Sequence, residues 1–303
     1  NTTSQRSVLI VQSGSHGKML GQLDLQVRGK RVTDFTQILF PIRASEIRPD
    51  PEIQQLITRL RAPYQAELER VIGTTSTLLY RQGTWQSPAD NLVTDALRAR
   101  TNQQIAMSEP GRYGAAVLPG PITVEDVYNL IPAEAPIYHM KFSGRDLRDM
   151  LEAAIDNVIS ENVLEQIGGY MLRFSGLAMQ VDLNQPYPKR IRSMQINGQP
   201  VKDDQLYNLA EFNLFLRNNT NAVDVTPTDQ LGPHEMIAWI EQQREVAPQL
   251  DKRITDHHGN ILGDSLHVHE TDKKTGRSEV DTGHAGPYQY KGRIDHAGYL
   301  QIH

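Results

Sequence analysis

The sequence predicts a mixed fold of helices and strands, of the α+β or α/β class. Between residues 74 and 158 short strands alternate with amphipathic helices, one of them opened by Ser87-Pro88. After Gly168-Gly169 the pattern is strand only, and Asn197-Gly198 between two alternating runs is typical of a tight hairpin. With 38% hydrophobic residues among 303, the chain can build one large core or two ordinary ones.

The first 73 residues predict an antiparallel hairpin and one long helix. Alternating apolar residues at 20–27 and 32–40, joined by a turn, indicate a hairpin at a sheet edge. Asp50-Pro51 marks a helix start, because Asp caps a helix and Pro suits its first position. Apolar residues continue at helical spacing to Gly73, with Pro63 as a site for a kink.

Later elements follow from capping signals and alternation. Thr123 with Asp126, and Ser143 with Asp146, have the spacing of a helix capping box. We expect strands at 77–80, 104–107, 137–142, 170–174, 177–183, 190–196 and 205–212, and a final helix at 233–243. Residues 253–303 are polar and rich in Gly and His, which predicts either a small β appendage or a poorly ordered tail.

Composition excludes several classes of function. The net charge is -5 and no basic run could follow a phosphate backbone, so we expect no nucleic-acid partner. Without cysteine the chain forms no disulfide or thiolate metal site, which leaves cytoplasm and periplasm both open. The early apolar stretch Val8 to Val11 is too short for a membrane span. It lies in a predicted buried strand at 7–12 without an initiating Met, so we expect Asn1 to be an internal point of a longer protein.

Four segments carry a resemblance to a known family. They read ADNLVTDALR at 89–98, SEPGRYG at 108–114, LPGPITVEDV at 118–127 and FSGRDL at 142–147. Their order and spacing resemble the 5′-nucleotidase C-terminal domain, and QSGSHGKMLG at 12–21 resembles the end of the metallophosphatase domain that precedes it.

The resemblance implies mixed sheets with flanking helices and a division into four parts. These are terminal strands of the metallophosphatase domain at 1–48, a linker helix at 49–73, the substrate-recognition domain at 74–250 and the tail or appendage at 251–303.

Within the family, the sequence resembles the thiosulfohydrolase branch of sulfur oxidation more than the nucleotidases. Arg112-Tyr113-Gly114 and the stretch from Gly168 to Arg173 carry this likeness. The turn that supplies a base-stacking aromatic in nucleotidases reads Ile131 to Ala135 here, without an aromatic residue. The branch implies a periplasmic protein whose small anionic substrate is carried on the cysteine of a sulfur-carrier partner. Nucleotide and thiosulfonate substrates both stay open.

Seven residues are candidates for substrate binding: Arg112, Tyr113, Gly114, Gly168, Gly169, Arg173 and Phe212. An arginine in a Gly-rich loop matches a tetrahedral oxyanion, and the resemblance implies that Arg112 faces the metal site. The alternatives are a solvated Arg112, a packing Tyr113 and an ordinary turn at Gly168-Gly169. Phe212, like Phe215, stacks on a ligand or fills the core, and core filling is the favoured interpretation.

We expect no catalytic residue and no metal ligand in this chain. The resemblance implies two divalent ions, manganese or zinc, in the N-terminal metallophosphatase domain, and the metal motifs of that superfamily do not occur here. His16 lacks neighbouring carboxylates. Seven of the ten histidines lie between His257 and His303, and His267 with His269 predicts at most adventitious metal binding.

These observations predict the substrate-recognition part of a two-domain metal-dependent hydrolase, inactive by itself. The alternative is a stand-alone module that binds an anion or a nucleotide without catalysis.

Overall fold

The computed structural model describes residues 10–13, 17–43, 45–81, 83–111, 116–162, 164–212, 216, 219–263, 288–294 and 300–302. The described helices are α1 (Pro51–Arg61), α2 (Gln65–Leu68), α3 (Pro88–Thr101), α4 (Val124–Leu130), α5 (Gly144–Ile159) and α6 (Gly232–Gln243). The described strands are β1 (Met19–Arg28), β2 (Arg31–Pro41), β3 (Val71–Thr75), β4 (Ile105–Ser108), β5 (Gly120–Thr123), β6 (Pro136–Ser143), β7 (Arg173–Ser175), β8 (Leu177–Val181), β9 (Ile191–Ile196), β10 (Gln199–Pro200), β11 (Leu206–Glu211), β12 (Val223–Leu231), β13 (Glu245–Val246), β14 (Ile254–Asp256), β15 (Tyr288–Ile294) and β16 (Leu300–Ile302).

The chain divides into two compact units, Asn1–Pro63 with His267–His303, and Tyr64–Leu266. The first unit contains one antiparallel sheet in the order β1-β2-β15-β16. The predicted hairpin is its first half, and Gly29 and Lys30 make the turn with positive φ. Within the predicted strand 7–12, residues 10–12 are not in a strand, and residues 7–9 lie outside the described part.

The second unit is organised around a five-stranded sheet in the order β12-β6-β11-β4-β7. Side chains alternate between its faces, so Ala106 and Ala210 enter one hydrophobic cluster while Ile105, Met107 and Leu209 enter another. A three-stranded sheet, β13-β3-β5, and a four-stranded sheet, β10-β9-β8-β14, complete this unit. The prediction of mixed sheets with flanking helices is confirmed.

The predicted helix starts are confirmed by their hydrogen bonds. Ser87, Thr123 and Ser143 each accept a hydrogen bond from the backbone three residues later, and at Thr123 the capping box with Asp126 is complete. These caps orient the first turns of α3, α4 and α5.

The predicted long helix at 49–73 is wrong in its second half. Helix α1 ends at Arg61, next to Pro63, which lacks a backbone donor and disfavours helix in the residue before it. After the single turn α2, Val71 begins a strand whose residues pair with Gly120–Thr123. Pairing in the sheet thus determines the structure of residues 71–73, although their apolar periodicity predicts a helix.

Residues 251–263, within the segment predicted to be a tail, are integrated in the second unit. Strand β14 pairs in parallel with β8, and Ile254 is buried in the cluster of Ile105 and Phe142. Strands β15 and β16 show β structure farther along, as the appendage alternative predicted. His267 and His269 lie outside the described residues.

No helix in the described part of the chain combines the length and the apolar character that a membrane crossing requires.

Candidate functional site

Of the seven predicted site residues, the structure describes four: Gly168, Gly169, Arg173 in β7 and Phe212 directly after β11. Arg112, Tyr113 and Gly114 lie outside the described residues, as do His16 and Phe215, but the chain is described up to Gly111 and again from Ala116. Gly168 and Gly169 lie in the loop before β7, with φ of 79° and 62°. Both values are in the left-handed region that glycine adopts without strain.

The two loops meet through Tyr170. Its hydroxyl donates to Oε1 of Glu109 at 2.5 Å, three residues before Arg112. Its carbonyl accepts from Nδ2 of Asn157 at 3.2 Å, which ties the loop to α5. A Cβ at Gly168 would lie 2.2 Å from the Tyr170 ring, so a glycine is required where the ring folds back. The structure therefore brings the described base of the Arg112 loop against the Gly-Gly loop.

A buried ionic network lies at the base of these loops. Asp90, fully buried in the first turn of α3, accepts from Nε of Arg81 at 2.7 Å and from Nε of Arg173 at 2.9 Å. The Ser87 hydroxyl donates to the same carboxylate at 2.7 Å. Arg81 is 5% exposed and Arg173 is 2% exposed. Two guanidinium groups thus share one carboxylate away from water.

The outer nitrogens of both guanidinium groups hold loop backbone in place. Arg81 donates through Nη2 to the carbonyl of Glu109 at 3.1 Å and through Nη1 to the carbonyl of Leu130 at 2.6 Å. Arg173 donates to the carbonyls of Thr84, at 3.2 Å, and Gly83. The network fixes the position of Glu109, and through Tyr170 it also fixes the Gly-Gly loop.

Two of the predicted substrate-binding residues, Arg173 and Phe212, have buried side chains. The Arg173 side chain is buried and its donors are engaged by Asp90 and two carbonyls, so it acts as a structural cation. Phe212 is 2% exposed in the hydrophobic core, and a Cβ at Gly232 would lie 2.9 Å from its ring. That placement agrees with the favoured core interpretation and disagrees with a stacking contact to a ligand.

Sequence reasoning missed Arg81 and Asp90. Asp90 carried one usable signal, because an acidic residue three positions after an N-cap serine is typical of a helix start. Nothing in the sequence pairs Arg81 with it, since the ion pair depends on how the loop before α3 folds back.

The turn at 131–135 lies between α4 and β6, where Ala133 and Glu134 are exposed. The hydroxyl of Tyr128 donates to Oε1 of Glu134 at 2.7 Å. Burial and this carboxylate raise the pKa of Tyr128 to about 12, so the phenol stays protonated at neutral pH. The turn offers polar groups and no aromatic face.

Among the described residues, no group of three or more His, Asp and Glu side chains is arranged to hold a metal ion. The two-metal centre implied by the resemblance requires several such ligands around each pair of ions. The described residues therefore do not fit that centre. They provide ordered loops and positively charged side chains instead.

Comparison with known proteins agrees with the fold. The sequence profile described as 5′-nucleotidase, C-terminal domain, matches residues 71–225, about half of the chain. Two curated proteins of Bacillus subtilis (strain 168) are similar. Endonuclease YhcR is 23% identical over 245 residues, covering 77% of this chain and 19% of its own length. Trifunctional nucleotide phosphoesterase protein YfkN is 24% identical over 276 residues, covering 84% of this chain and 18% of its own length.

Two solved structures from Thermus thermophilus share the fold. Sulfate thiohydrolase SoxB superposes with a TM-score of 0.72 at 22% identity, covering 80% of this chain and 45% of its own. The 5′-nucleotidase precursor from the same species gives a TM-score of 0.70 at 20% identity, covering 83% of this chain and 52% of its own. The chain spans about a fifth of the length of the curated relatives and about half of the solved chains.

The motif order, the mixed-sheet fold and the profile match over residues 71–225 agree, and the chain belongs to the 5′-nucleotidase C-terminal domain family.

Proposed function

We propose that this chain recognises the substrate of a two-domain metal-dependent hydrolase and orients a small anionic ester or thiosulfonate. The observation that carries the proposal is the junction of two loops through Tyr170 and Glu109, above the buried Asp90 network. One loop leads to Arg112 and the other contains Gly168 and Gly169. A positively charged side chain and backbone amides that a ligand can approach closely, on two adjoining loops, are suited to binding an oxyanion.

The proposal also assigns separate roles to this chain and to a metallophosphatase domain. Two divalent ions, manganese or zinc, activate water when bound in a metallophosphatase domain of the same protein, while this chain supplies binding and orientation. Arg112 presents a rigid fork of donors to the anion, Tyr113 shields it from water, and Gly114 allows the loop to turn.

The turn at 131–135 favours a thiosulfonate or simple anion over a nucleotide. Stacking of a base needs an aromatic face, and this turn presents Ala133 and Glu134 instead. The location in the periplasm and the substrate carried on a partner protein are proposed from the motif resemblance to the thiosulfohydrolase branch. Similarity to YfkN, a nucleotide phosphoesterase, supports the nucleotide alternative.

The test is Arg112→Ala in a protein that joins this chain to its metallophosphatase domain. We expect kcat/KM to fall by about 2 to 4 kcal/mol in free energy, because a charge-assisted contact to developing charge is lost. Arg112→Lys should recover part of the loss, since an ammonium cannot reproduce the bidentate fork. Melting temperature and metal content should not change.

Arg145→Ala is the matched control, because Arg145 is an exposed arginine on α5 that pairs only with exposed Asp204 among the described residues. If Arg112→Ala keeps kcat/KM within about twofold of wild type, Arg112 does not bind the anion. A coding sequence upstream of Asn1 without metallophosphatase motifs would instead favour the module that binds without catalysis.

A further inference from the structure

A polar groove lies along the second half of α3, away from the Asp90 network. It has a volume of about 480 Å³, and its walls are α3, the turn between β7 and β8, the hairpin turn between β9 and β10, and residues 251–253. Asp90 and Arg98 are eight positions apart on α3, which corresponds to about 12 Å along the helix axis. The groove is therefore distinct from the loops that carry the predicted substrate site.

The two carboxylates in the described lining of the groove, Asp95 and Asp251, share the positive charge of Arg253. Nη2 of Arg253 lies 3.2 Å from Asp95 and 2.7 Å from Asp251, and its Nη1 donates to the carbonyl of Phe174 at 2.8 Å. Arg253 is thus a structural cation that forms ion pairs with both acidic side chains of the described lining. The two other cations of the lining are Arg98 and Lys252, so the groove has three positive and two negative groups and a net charge of +1.

Three groups in the groove keep donors for a ligand. Arg98 uses Nε on the carbonyl of Gln104 and Nη2 on Oδ1 of Asn197, at 3.1 and 2.6 Å, while its Nη1 has no hydrogen-bond partner among the described residues. The ammonium of Lys252 and the hydroxyl of Ser175 likewise find no partner within the described part of the chain, and both line the groove.

Arg98 is held in this position by its surroundings. Gly176 has φ of 81°, and a Cβ there would lie 2.6 Å from Nε of Arg98 and 2.1 Å from the carbonyl of Gln104. Only glycine allows the guanidinium to cross the turn. Asn197 and Gly198 both have positive φ, which is the two-residue hairpin turn that presents the Asn197 side chain to Arg98. A cation oriented in this way loses little freedom when it binds.

We propose that this groove is a second ligand site that binds a small polyanion of the phosphate class through Arg98, Lys252 and Ser175. Two cations and a hydroxyl donor, in a described lining of net positive charge, match the several anionic oxygens of a phosphate or pyrophosphate group. None of the described residues of the lining is aromatic, so recognition through them depends on the anionic oxygens and not on stacking of a base. The site is independent of the hydrolase proposal, because it shares none of its residues.

Isothermal titration of the full 303-residue chain with pyrophosphate tests the proposal. We expect saturable binding that weakens as sodium chloride is added. Lys252→Glu should lower the affinity at least tenfold, and Arg98→Gln should have a similar effect. Lys252 is exposed, so the first variant keeps its fold, which circular dichroism checks. Lys189→Glu, an exposed lysine outside the groove, should leave the affinity unchanged.

Two comparisons separate the ligand sources and the sites. ADP should bind through the groove as pyrophosphate does, whereas adenosine should not bind there. Arg112→Ala should retain the pyrophosphate affinity that Lys252→Glu loses. No saturable binding by the wild-type chain, or binding that survives in the double variant of Arg98→Gln with Lys252→Glu, overturns the proposal.

Discussion

Asp90 accepts hydrogen bonds from two buried guanidinium groups, those of Arg81 and Arg173. It lies at the start of α3, where Ser87 caps the helix and the positive end of the helix dipole faces the carboxylate. Arg81 and Arg173 together connect this carboxylate to the carbonyls of Gly83, Thr84, Glu109 and Leu130. A change at this one residue therefore reaches every loop of the candidate site.

We expect Asp90→Asn to destabilise the protein by about 3 to 5 kcal/mol, because it removes the negative charge that two buried guanidinium groups share. Urea unfolding at pH 7, followed by tryptophan fluorescence, measures the change. Asp224→Asn is the control, since the pair of Asp224 with Lys141 is exposed and should contribute no more than about 0.5 kcal/mol. Equal losses in the two variants would show that the Asp90 network has no special structural role.

Gly168 gives a second prediction at the scale of one residue. Gly168→Ala adds a Cβ where the Tyr170 ring lies, whereas Gly259→Ala adds one in open space at a similar φ of 86°. Both variants should lose about 1 to 2 kcal/mol from left-handed strain. Gly168→Ala should lose about 1 kcal/mol more, because Tyr170 is displaced from Glu109. Denaturant midpoints compare them, and an identical cost for both would contradict the required close approach.

At the scale of elements, β14 is the last described strand of the second unit and packs into its core. Ile254 is 1% exposed in its core, whereas Ile261, seven residues later, is 42% exposed. We expect Ile254→Ala to cost about 2 to 5 kcal/mol, and Ile261→Ala less than about 1 kcal/mol. Both tryptophans, Trp85 and Trp239, belong to this unit, so their fluorescence reports its unfolding.

Truncation tests the same element. A chain that ends at Gly263 should keep the tryptophan transition, and one that ends at Lys252 should lower its midpoint by at least several degrees. The second truncation removes both the ion pairs of Arg253 and strand β14. An unchanged midpoint after truncation at Lys252 would show that residues 253–263 are dispensable.

At the scale of the molecule, the partly buried groups His139 and Asp251 contribute to a dependence of stability on pH. Burial lowers the pKa of His139 below its ordinary value of 6.5, and its Nε2 has no partner among the described residues. Burial favours a higher pKa for Asp251, but the hydrogen bond and charge of Arg253 lower it below its ordinary 3.8. In both cases the unfolded chain binds more protons, so stability is complete above the unfolded pKa and declines as pH falls.

We therefore expect stability to decline first below about pH 6.5, from His139. It should decline again below about pH 4, from Asp251 together with Glu67, Asp182 and Asp256, whose pKa values are also lowered by their hydrogen bonds. Urea midpoints between pH 8 and pH 3 measure both steps. His139→Gln should flatten the first decline, while exposed His234→Gln should retain it. A first decline of equal size in His139→Gln would assign the effect to other groups.

The sequence by itself determined the class of fold, the family and most helix starts. These follow from local chemistry: Ser87, Thr123 and Ser143 cap their own helices, and the hairpin at 28–31 needs only neighbouring residues. The order of the short motifs between 89 and 147 was enough to identify the family, which the profile match confirms.

The tertiary structure alone decided which residues meet. Arg81 reaches Asp90 and Glu109, Arg173 is buried, Val71 leaves a helical pattern for a strand, and Ile254 enters the core. The local sequence pattern predicts none of these outcomes, because the partners in an ion pair or a sheet come from segments that are distant in sequence. Burial then decides the role of a polar residue, since a guanidinium without water must satisfy its donors within the protein.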